Sequence, residues 1–376
     1  MKTVRTGIDN WHSNFGEKLM INKRIFKRAL ILMSVIFTHH FNAHAQNYPN
    51  QKYEVWTAKD FRFHTGEVAP TLNIGYTTIG NPSGEVIVIL HGTNGTGAGM
   101  LSNSFGAELF GPGQPLDAAK YFIVLPDSLG NGKSSKPSDG LKTQFPKYNY
   151  DDMVLAQYRL LTEKLNLKHV RMILGNSMGG MHTWLWGVKY PSYADILVPM
   201  ASLPSEMSGR NWLMRRFIID SIKSDPEWMN GNYVKQPRSL QFASVFHTLG
   251  TNGGNLGLQR LAPTRAKADQ LIDARMKAPF DADANDVLYR WEASRDYNPL
   301  DQIDKIKATL LAINSADDER NPPELGVMEK ALAKIPNSRL LLIPASDQTV
   351  GHSTTEQAKW WKNEVGALVK SAPYLK

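Results

Sequence analysis

The sequence predicts an α/β protein, with a mostly parallel central sheet flanked by helices and a helical cap inserted into it. Three observations carry this expectation. Short apolar runs alternate with helical patterns between residues 46 and 202 and again after residue 300. The alternation lapses between residues 203 and 300 and then resumes. A glycine-flanked serine also stands where one apolar run gives way to a helical pattern.

In chain order, residues 1–45 read as a signal peptide. Lys23, Arg24, Lys27 and Arg28 form a basic start, Ala29–Phe37 is a nine-residue apolar run, and Ala43-His44-Ala45 offers a cleavage site before Gln46. That run is far short of the roughly 20 residues a bilayer span takes. The expectation is a periplasmic or secreted protein with no membrane anchor after cleavage. Met20 is an alternative start, and an uncleaved N-terminal anchor is the competing reading. Residues 46–57 look like an extended lead-in.

The first part of the core, 46–202, places strands at Ala69–Ile79, Val86–Leu90, Tyr121–Pro126 and Val170–Leu174. A helix over Asp151–Leu165 follows from the spacing of Val154, Leu155, Tyr158, Leu161 and Leu165, with Asp151 or Asp152 as its cap. Apolar strands between helices argue for a sheet covered on both faces. The cap, 203–300, carries Trp212, Trp228 and Trp291 and a Gly-rich stretch at 250–257; it follows the strand after the serine's helix. The tryptophans read as cap core, one of them as a candidate pocket wall. The second part of the core, 301–376, resumes with Thr309–Asn314, Pro322–Lys334, Arg339–Ile343 and Thr354–Val369.

Composition excludes several chemistries. With no Cys among 376 residues there is no disulfide framework, cysteine nucleophile, thiolate zinc site or iron–sulfur cluster. The net charge of +8 invites a nucleic-acid partner. Its distribution removes the invitation: without residues 1–45 the chain keeps 36 basic and 33 acidic residues, a net +3.

Gly175-Asn176-Ser177-Met178-Gly179 fits the G-x-S-x-G pattern. The five residues alone are weak evidence. Preceded by an apolar strand and followed by a helical pattern, they read as a nucleophile elbow, where a strained turn projects the serine over the sheet. The triad partners of such a serine follow as acid, then histidine. Of His64, His91, His169, His182, His247 and His352, only His352 follows a late strand by a loop and precedes the last helix. Asp317 and Asp318 compete for the acid; the four-residue spacing to Pro322 favours Asp318 and leaves Asp317 as a solvated or turn-forming carboxylate. The backbone N–H groups of Thr93 and Met178 are the candidate oxyanion donors, and His91 reads as structural.

Other motifs fail on one residue each. Gly130–Ser134 ends like a phosphate-binding loop, but Asp127 stands where its first glycine belongs. Gly95-Thr96-Gly97 opens like a dinucleotide fingerprint, with Met100 at the third glycine. Asp281, Asp283, Asn285 and Glu292 have calcium-loop spacing, but Asp286 replaces the turn glycine, so a solvated helix start is expected there. No metal or organic cofactor is expected.

The elbow, the Asp127–Ser134 loop and the Gly351-His352 pair together resemble the α/β-hydrolase fold. More narrowly, Gly111–Asp117 with Tyr121-Phe122, Gly175–Met181, Asp225–Trp228 and Gly231–Tyr233 resemble the homoserine O-acetyltransferase branch. The resemblance implies Ser177, Asp318 and His352 as the triad. The chain departs from that branch at Ser353, where an Asp usually follows the histidine, and in its cap helix. There Ile219 or Asp220 takes the place of an arginine, and Arg215 and Arg216 are displaced. The function expected is an exported serine hydrolase cleaving a small ester or related acyl compound through an acyl-serine. An O-acyltransferase is the alternative, and a catalytically dead binding protein the remote one. The expected partner is a small acyl substrate, with no nucleic acid; a homodimer stays open.

Overall fold

The computed structural model describes residues 47–375, so the expected signal peptide lies outside the described residues. One sheet of eight strands organises them: β1 Lys52–Arg62, β2 Val68–Gly80, β3 Glu85–Leu90, β4 Tyr121–Pro126, β5 Val170–Asn176, β6 Ala194–Met200, β7 Thr309–Ser315 and β8 Ser338–Ile343. Their order across the sheet is β1-β2-β4-β3-β5-β6-β7-β8. β1 and β2 pair antiparallel, as do β2 and β4, and every other pairing is parallel. The expected lead-in is a strand from Lys52 onward. Its side chains are mostly exposed, so the apolar run that marks an inner strand is missing.

Alternation along the strands builds two cores. Val88, Leu90 and Ile173 face one layer, with Met153, Trp184 and Trp186. Ile87, Ile89, Met172 and Leu174 face the other, with Phe105, Trp361 and Val365. β5 and β6 are buried at all seven positions each, which explains their unbroken apolar reading.

Helix α1, Tyr150–Arg159, is capped by Asn149 rather than Asp151 or Asp152. The Asn149 side chain accepts from the Asp152 N–H at 3.0 Å, and the Asp152 carboxylate accepts from the Asn149 N–H at 3.1 Å. α1 runs into a π-turn at Leu160–Lys164. α2, Met178–Lys189, follows β5 directly.

The cap contributes α3 Gly209–Ser224, α4 Arg238–Thr251, α5 Asn255–Leu261, α6 Arg265–Lys277 and α7 Ala284–Glu292. Ile218, Ile219, Ile222, Leu240, Val287 and Trp291 give it a core of its own. The expected solvated helix start near Asp283 is instead a built cap: Asp283 accepts from the Asn285 and Asp286 N–H groups at 3.0 and 3.1 Å, and Asp286 is buried. Short helix α8, Val327–Leu332, precedes β8, and α9, Lys362–Ser371, closes the described chain. Among the described residues no helix is long and apolar enough to cross a membrane.

Candidate active site

β5 delivers Ser177 to the carboxyl end of the sheet centre, and α2 starts at the next residue. Ser177 has φ 56° and ψ −113°, a backbone conformation few non-glycine residues adopt. The turn is tight enough to require small neighbours. A Cβ at Gly179 would run into the carbonyl of Leu90 and stand 2.9 Å from that of His91. One at Gly175 would meet Gly179 itself. The sharp turn is what turns the serine side chain away from the sheet hydrogen bonds and into a cavity.

The structure brings Ser177, His352 and Asp318 together. Ser177 Oγ lies 2.8 Å from His352 Nε2, and His352 Nδ1 lies 2.9 and 3.1 Å from the two carboxylate oxygens of Asp318. The residues come from three loops: after β5, after β7 and after β8. All three are buried, Asp318 at 1% exposure, His352 at 4% and Ser177 at 5%. Burial pushes the His352 imidazole below its ordinary range, against the opposing pull of Asp318. Burial alone would raise Asp318, but the charge and hydrogen bond of His352, with donors from Asn321 and Arg320, hold its carboxyl below the usual range.

Asp318 is held rigidly. Its Oδ1 accepts from the Arg320 N–H at 2.8 Å and the Asn321 N–H at 3.2 Å, and its Oδ2 accepts from Asn321 Nδ2 at 3.0 Å. Asp317, expected to be solvated or turn-forming, has a different place. Its carboxylate accepts from the hydroxyls of Ser315 and Thr349 and from the Gly351 N–H at 3.3 Å. It therefore ties the acid loop to the histidine loop. Sequence reasoning missed this because adjacent aspartates look alike until the loop after β8 is placed.

The loop after β3 passes beside Ser177: a Cβ at Gly92 would stand 3.5 Å from Ser177 Cβ. The Thr93 amide has no acceptor among the described residues, and the Met178 amide, first in α2, has no intrahelical one. Thr93 lines the same cavity as Ser177, Met178 follows Ser177 directly, and both N–H groups have donor capacity to spare. Asn131 Nδ2 fixes this loop by donating to the carbonyls of Thr93 and Gly95 at 3.0 and 2.9 Å. His91 is structural: its Nδ1 bonds the Gly92 carbonyl at 2.7 Å, and its Nε2 accepts from the Ser128 N–H at 3.0 Å. Those two bonds fix one neutral tautomer, and burial lowers its pKa in the same sense. The loop that resembled a phosphate cradle is therefore the brace of the candidate oxyanion loop.

The other histidines stand elsewhere. His182 is buried among Tyr150 and Gln157, its pKa pushed down to about 3 by burial. His169 pairs with Asp195, and His64 with Asp152. His247, on α4, is the exception: it packs on Trp291 and lines the same cavity as Ser177, its pKa pushed down to about 2 by burial and by Arg320 and Arg215.

Ser177 and His352 open into a cavity of about 520 Å³ between the core loops and the cap. Thr93, Asn94, Trp291, Arg320 and Glu356 line it as well. Arg320 joins three segments that sequence reasoning did not connect. Its Nε donates to Thr251 Oγ1 at 3.0 Å and its Nη2 to Asn252 Oδ1 at 2.9 Å, while Asn252 Nδ2 donates to Ser353 Oγ at 3.0 Å. The end of α4 is thus strapped over the histidine loop, and Gly253 N–H bonds the Val350 carbonyl at 2.9 Å. Arg215 is buried under the same roof, bonded to Asn211 and Ser294 and 4.8 Å from the Trp291 ring centre; Arg216 is exposed and pairs with Asp220. Trp291 is the cap tryptophan that reaches the pocket.

The chain is similar to several known proteins. A family model described as alpha/beta hydrolase fold matches residues 85–352. A probable acyltransferase of Methanothermobacter thermautotrophicus is 27% identical over 305 residues, covering 78% of this chain and 90% of that protein. A homoserine O-acetyltransferase of Methanosphaera stadtmanae is 32% identical over 202 residues, 47% of this chain and 39% of that protein. The match therefore spans well under half of that enzyme. Among solved structures, the homoserine O-acetyltransferase of Bacillus anthracis superposes with a TM-score of 0.75 at 19% identity, over 86% of this chain and 98% of that one, a likeness of fold.

Proposed function

The chain belongs to the alpha/beta hydrolase fold family, and from that premise we propose that it is an acyl-transfer enzyme working through an acyl-Ser177 intermediate, with an alcohol as its preferred acceptor. The observation that carries this reading is the continuous relay from Ser177 Oγ through His352 to Asp318, at 2.8 and 2.9 Å. Ser177 Oγ attacks the acyl carbonyl carbon and passes its proton to His352 Nε2. The carbonyl oxygen takes the displaced electron pair and is held by the Thr93 and Met178 N–H groups. Collapse breaks the bond to the leaving group, which takes the proton from Nε2. The acceptor then gives its proton to Nε2 and attacks the acyl-serine, and the second collapse returns a proton to Ser177. Asp318 holds the imidazole with its proton on Nδ1 and stabilises the imidazolium.

An alcohol acceptor is supported by the relatives, whose names are acyltransferases. Water as acceptor, which makes the enzyme an esterase, is favoured by one residue. Ser353 follows His352 where the acetyltransferase branch usually carries an Asp, and its hydroxyl is already engaged by Asn252. Partitioning of the acyl-enzyme decides between them. With an activated ester and rising concentrations of alcohol acceptors, the proposal expects transfer product to exceed the free acid. Free acid in constant yield at every acceptor concentration would establish the hydrolase instead.

We also propose that the chain is exported and begins at Gln46 after processing, so that its acyl donor is an ester found outside the cytosol rather than acetyl-CoA. N-terminal sequencing of the protein from the periplasmic fraction and medium should read from Gln46. An intact chain confined to the cytosol would contradict export.

A further inference from the structure

We propose that the substrate carries an anionic group, a carboxylate in the simplest case, and that Arg290 receives it in a side arm of the catalytic cavity. The inference rests on the acyl-transfer reading for the chemistry, but its geometry is independent of it. A second cavity of about 410 Å³ adjoins the catalytic one: Asn94, His247, Thr248 and Trp291 line both. Its own walls bring Ile218, Phe280 and Val287 from the cap together with Ser244 and Arg290.

Arg290 sits on α7 and makes no hydrogen bond or ion pair to any described residue; its Nε is buried without a partner. The neighbouring acids are committed elsewhere. Asp286 accepts from the Ser138 N–H at 2.9 Å and the Ser138 hydroxyl at 2.6 Å. Asp283 caps α7 with one oxygen and accepts from Gln236 Nε2 at 3.1 Å with the other. Burial pulls the Arg290 pKa down, yet an arginine stays charged at neutral pH. A second group unpartnered among the described residues lies beside it, though it lines a different cavity, with Lys147 and Tyr289. The Tyr148 hydroxyl is also buried without a partner, and a Cβ on Gly130 would touch both Tyr148 Oη and, at 2.9 Å, Arg290 Cγ. Burial raises the Tyr148 pKa, so the group remains a phenol that donates.

An arginine whose Nε is buried without a partner, near Asp286 and Asp283 but bonded to neither, is costly, and its planar fork of N–H donors matches a carboxylate. Glu356, the carboxylate that lines the catalytic cavity, does not line this arm. The arm therefore suits a short apolar stem ending in an anion, while Ser177 acts on the ester at the other end.

Two ester pairs test this, one with the charge on each side of the scissile bond. The first is the p-nitrophenyl hemiester of glutarate against its methyl-capped diester. The second is 4-acetoxybutyrate against its methyl ester. In at least one pair, wild type should favour the carboxylate by about 10- to 100-fold in kcat/KM, the range for a hydrogen-bonded charge. Arg290→Gln should bring that ratio close to one, and Arg290→Lys should keep part of it. Because the readout is a ratio, a general loss of activity cancels. No preference in either pair, or a preference that survives Arg290→Gln, overturns the proposal. Calorimetric titration with glutarate needs no turnover. If no ester is consumed and Ser177 takes no fluorophosphonate, the acyl-transfer reading fails, and Arg290-dependent glutarate binding still sustains the anion site. Absence of such binding would then sink both.

Discussion

Replacing Asp318 by Asn removes one oxygen from a carboxylate with no spare position. Oδ1 takes two backbone N–H groups besides the histidine, so the amide oxygen of the variant stays there, and its NH₂ falls where Oδ2 met His352 Nδ1 and Asn321 Nδ2. Two donors then face the imidazole, which responds by carrying its proton on Nε2. That nitrogen faces Ser177 Oγ at 2.8 Å and can no longer accept its proton. A wrong tautomer in a triad costs about 10⁴ in rate, or about 5.4 kcal/mol of transition-state stabilisation. Asp317→Asn leaves the relay intact and weakens only the tie to Thr349 and Gly351, so a loss within about tenfold is expected. The assay is kcat/KM on an activated ester for both variants, with circular dichroism to establish folding. An Asp318→Asn enzyme retaining more than about 1% activity, or Asp317→Asn as the more damaging change, would refute the assignment.

The pH dependence should carry the mark of His352. Its pKa is lowered by burial, so the neutral base persists below the usual histidine range, and the acid limb of kcat/KM should have an apparent pKa below about 6.5; a limb above 7 would contradict the geometry. Stability should respond to acid through His182 and His247, whose folded pKa values are about 3 and about 2. The unfolded chain binds protons to these groups near pH 6.5 and the folded chain does not. Stability is therefore fully present above about pH 6.5 and falls by about 1.4 kcal/mol per pH unit for each as the pH drops toward the folded values. Denaturation at pH 7, 5.5 and 4.5 checks this, and equal stability across the series would count against neutral burial. Gly179→Ala drives a methyl group into the Leu90 carbonyl and should cost about 1–3 kcal/mol or more in denaturant unfolding. A change within about 0.5 kcal/mol would mean that the elbow is looser than described.

Much of this site is legible in sequence because its parts answer to local rules. The elbow needs small residues at fixed offsets and an apolar strand before them, and Gly175–Gly179 after Val170–Leu174 supplies both. His352 stands out by its place before the last helix. The bracing residues obey no local pattern. Asn131, Asn321 and Asp317 act by bonding loops 36 to 120 positions away or by linking two loops after different strands, and only the folded sheet puts those loops side by side. Arg320 and Arg290 are still less visible. Arg320, in the loop after β7, and Arg290, on α7, each read as a solvated charge, and only the cap's seating over the core gives each a cavity to line. Residues 46–57 look like a lead-in rather than part of β1 for the related reason that an edge strand, exposed at most positions, carries little apolar signal.

The central claim is that Ser177 carries the acyl group. Rapid mixing with p-nitrophenyl acetate, followed by acid quench and peptide mass analysis, tests it directly. The account predicts a burst of nitrophenolate equal to one per chain and one acetyl group on the peptide containing Ser177, both absent in Ser177→Ala. A burst retained by Ser177→Ala, or acetyl found on a different residue, would contradict it.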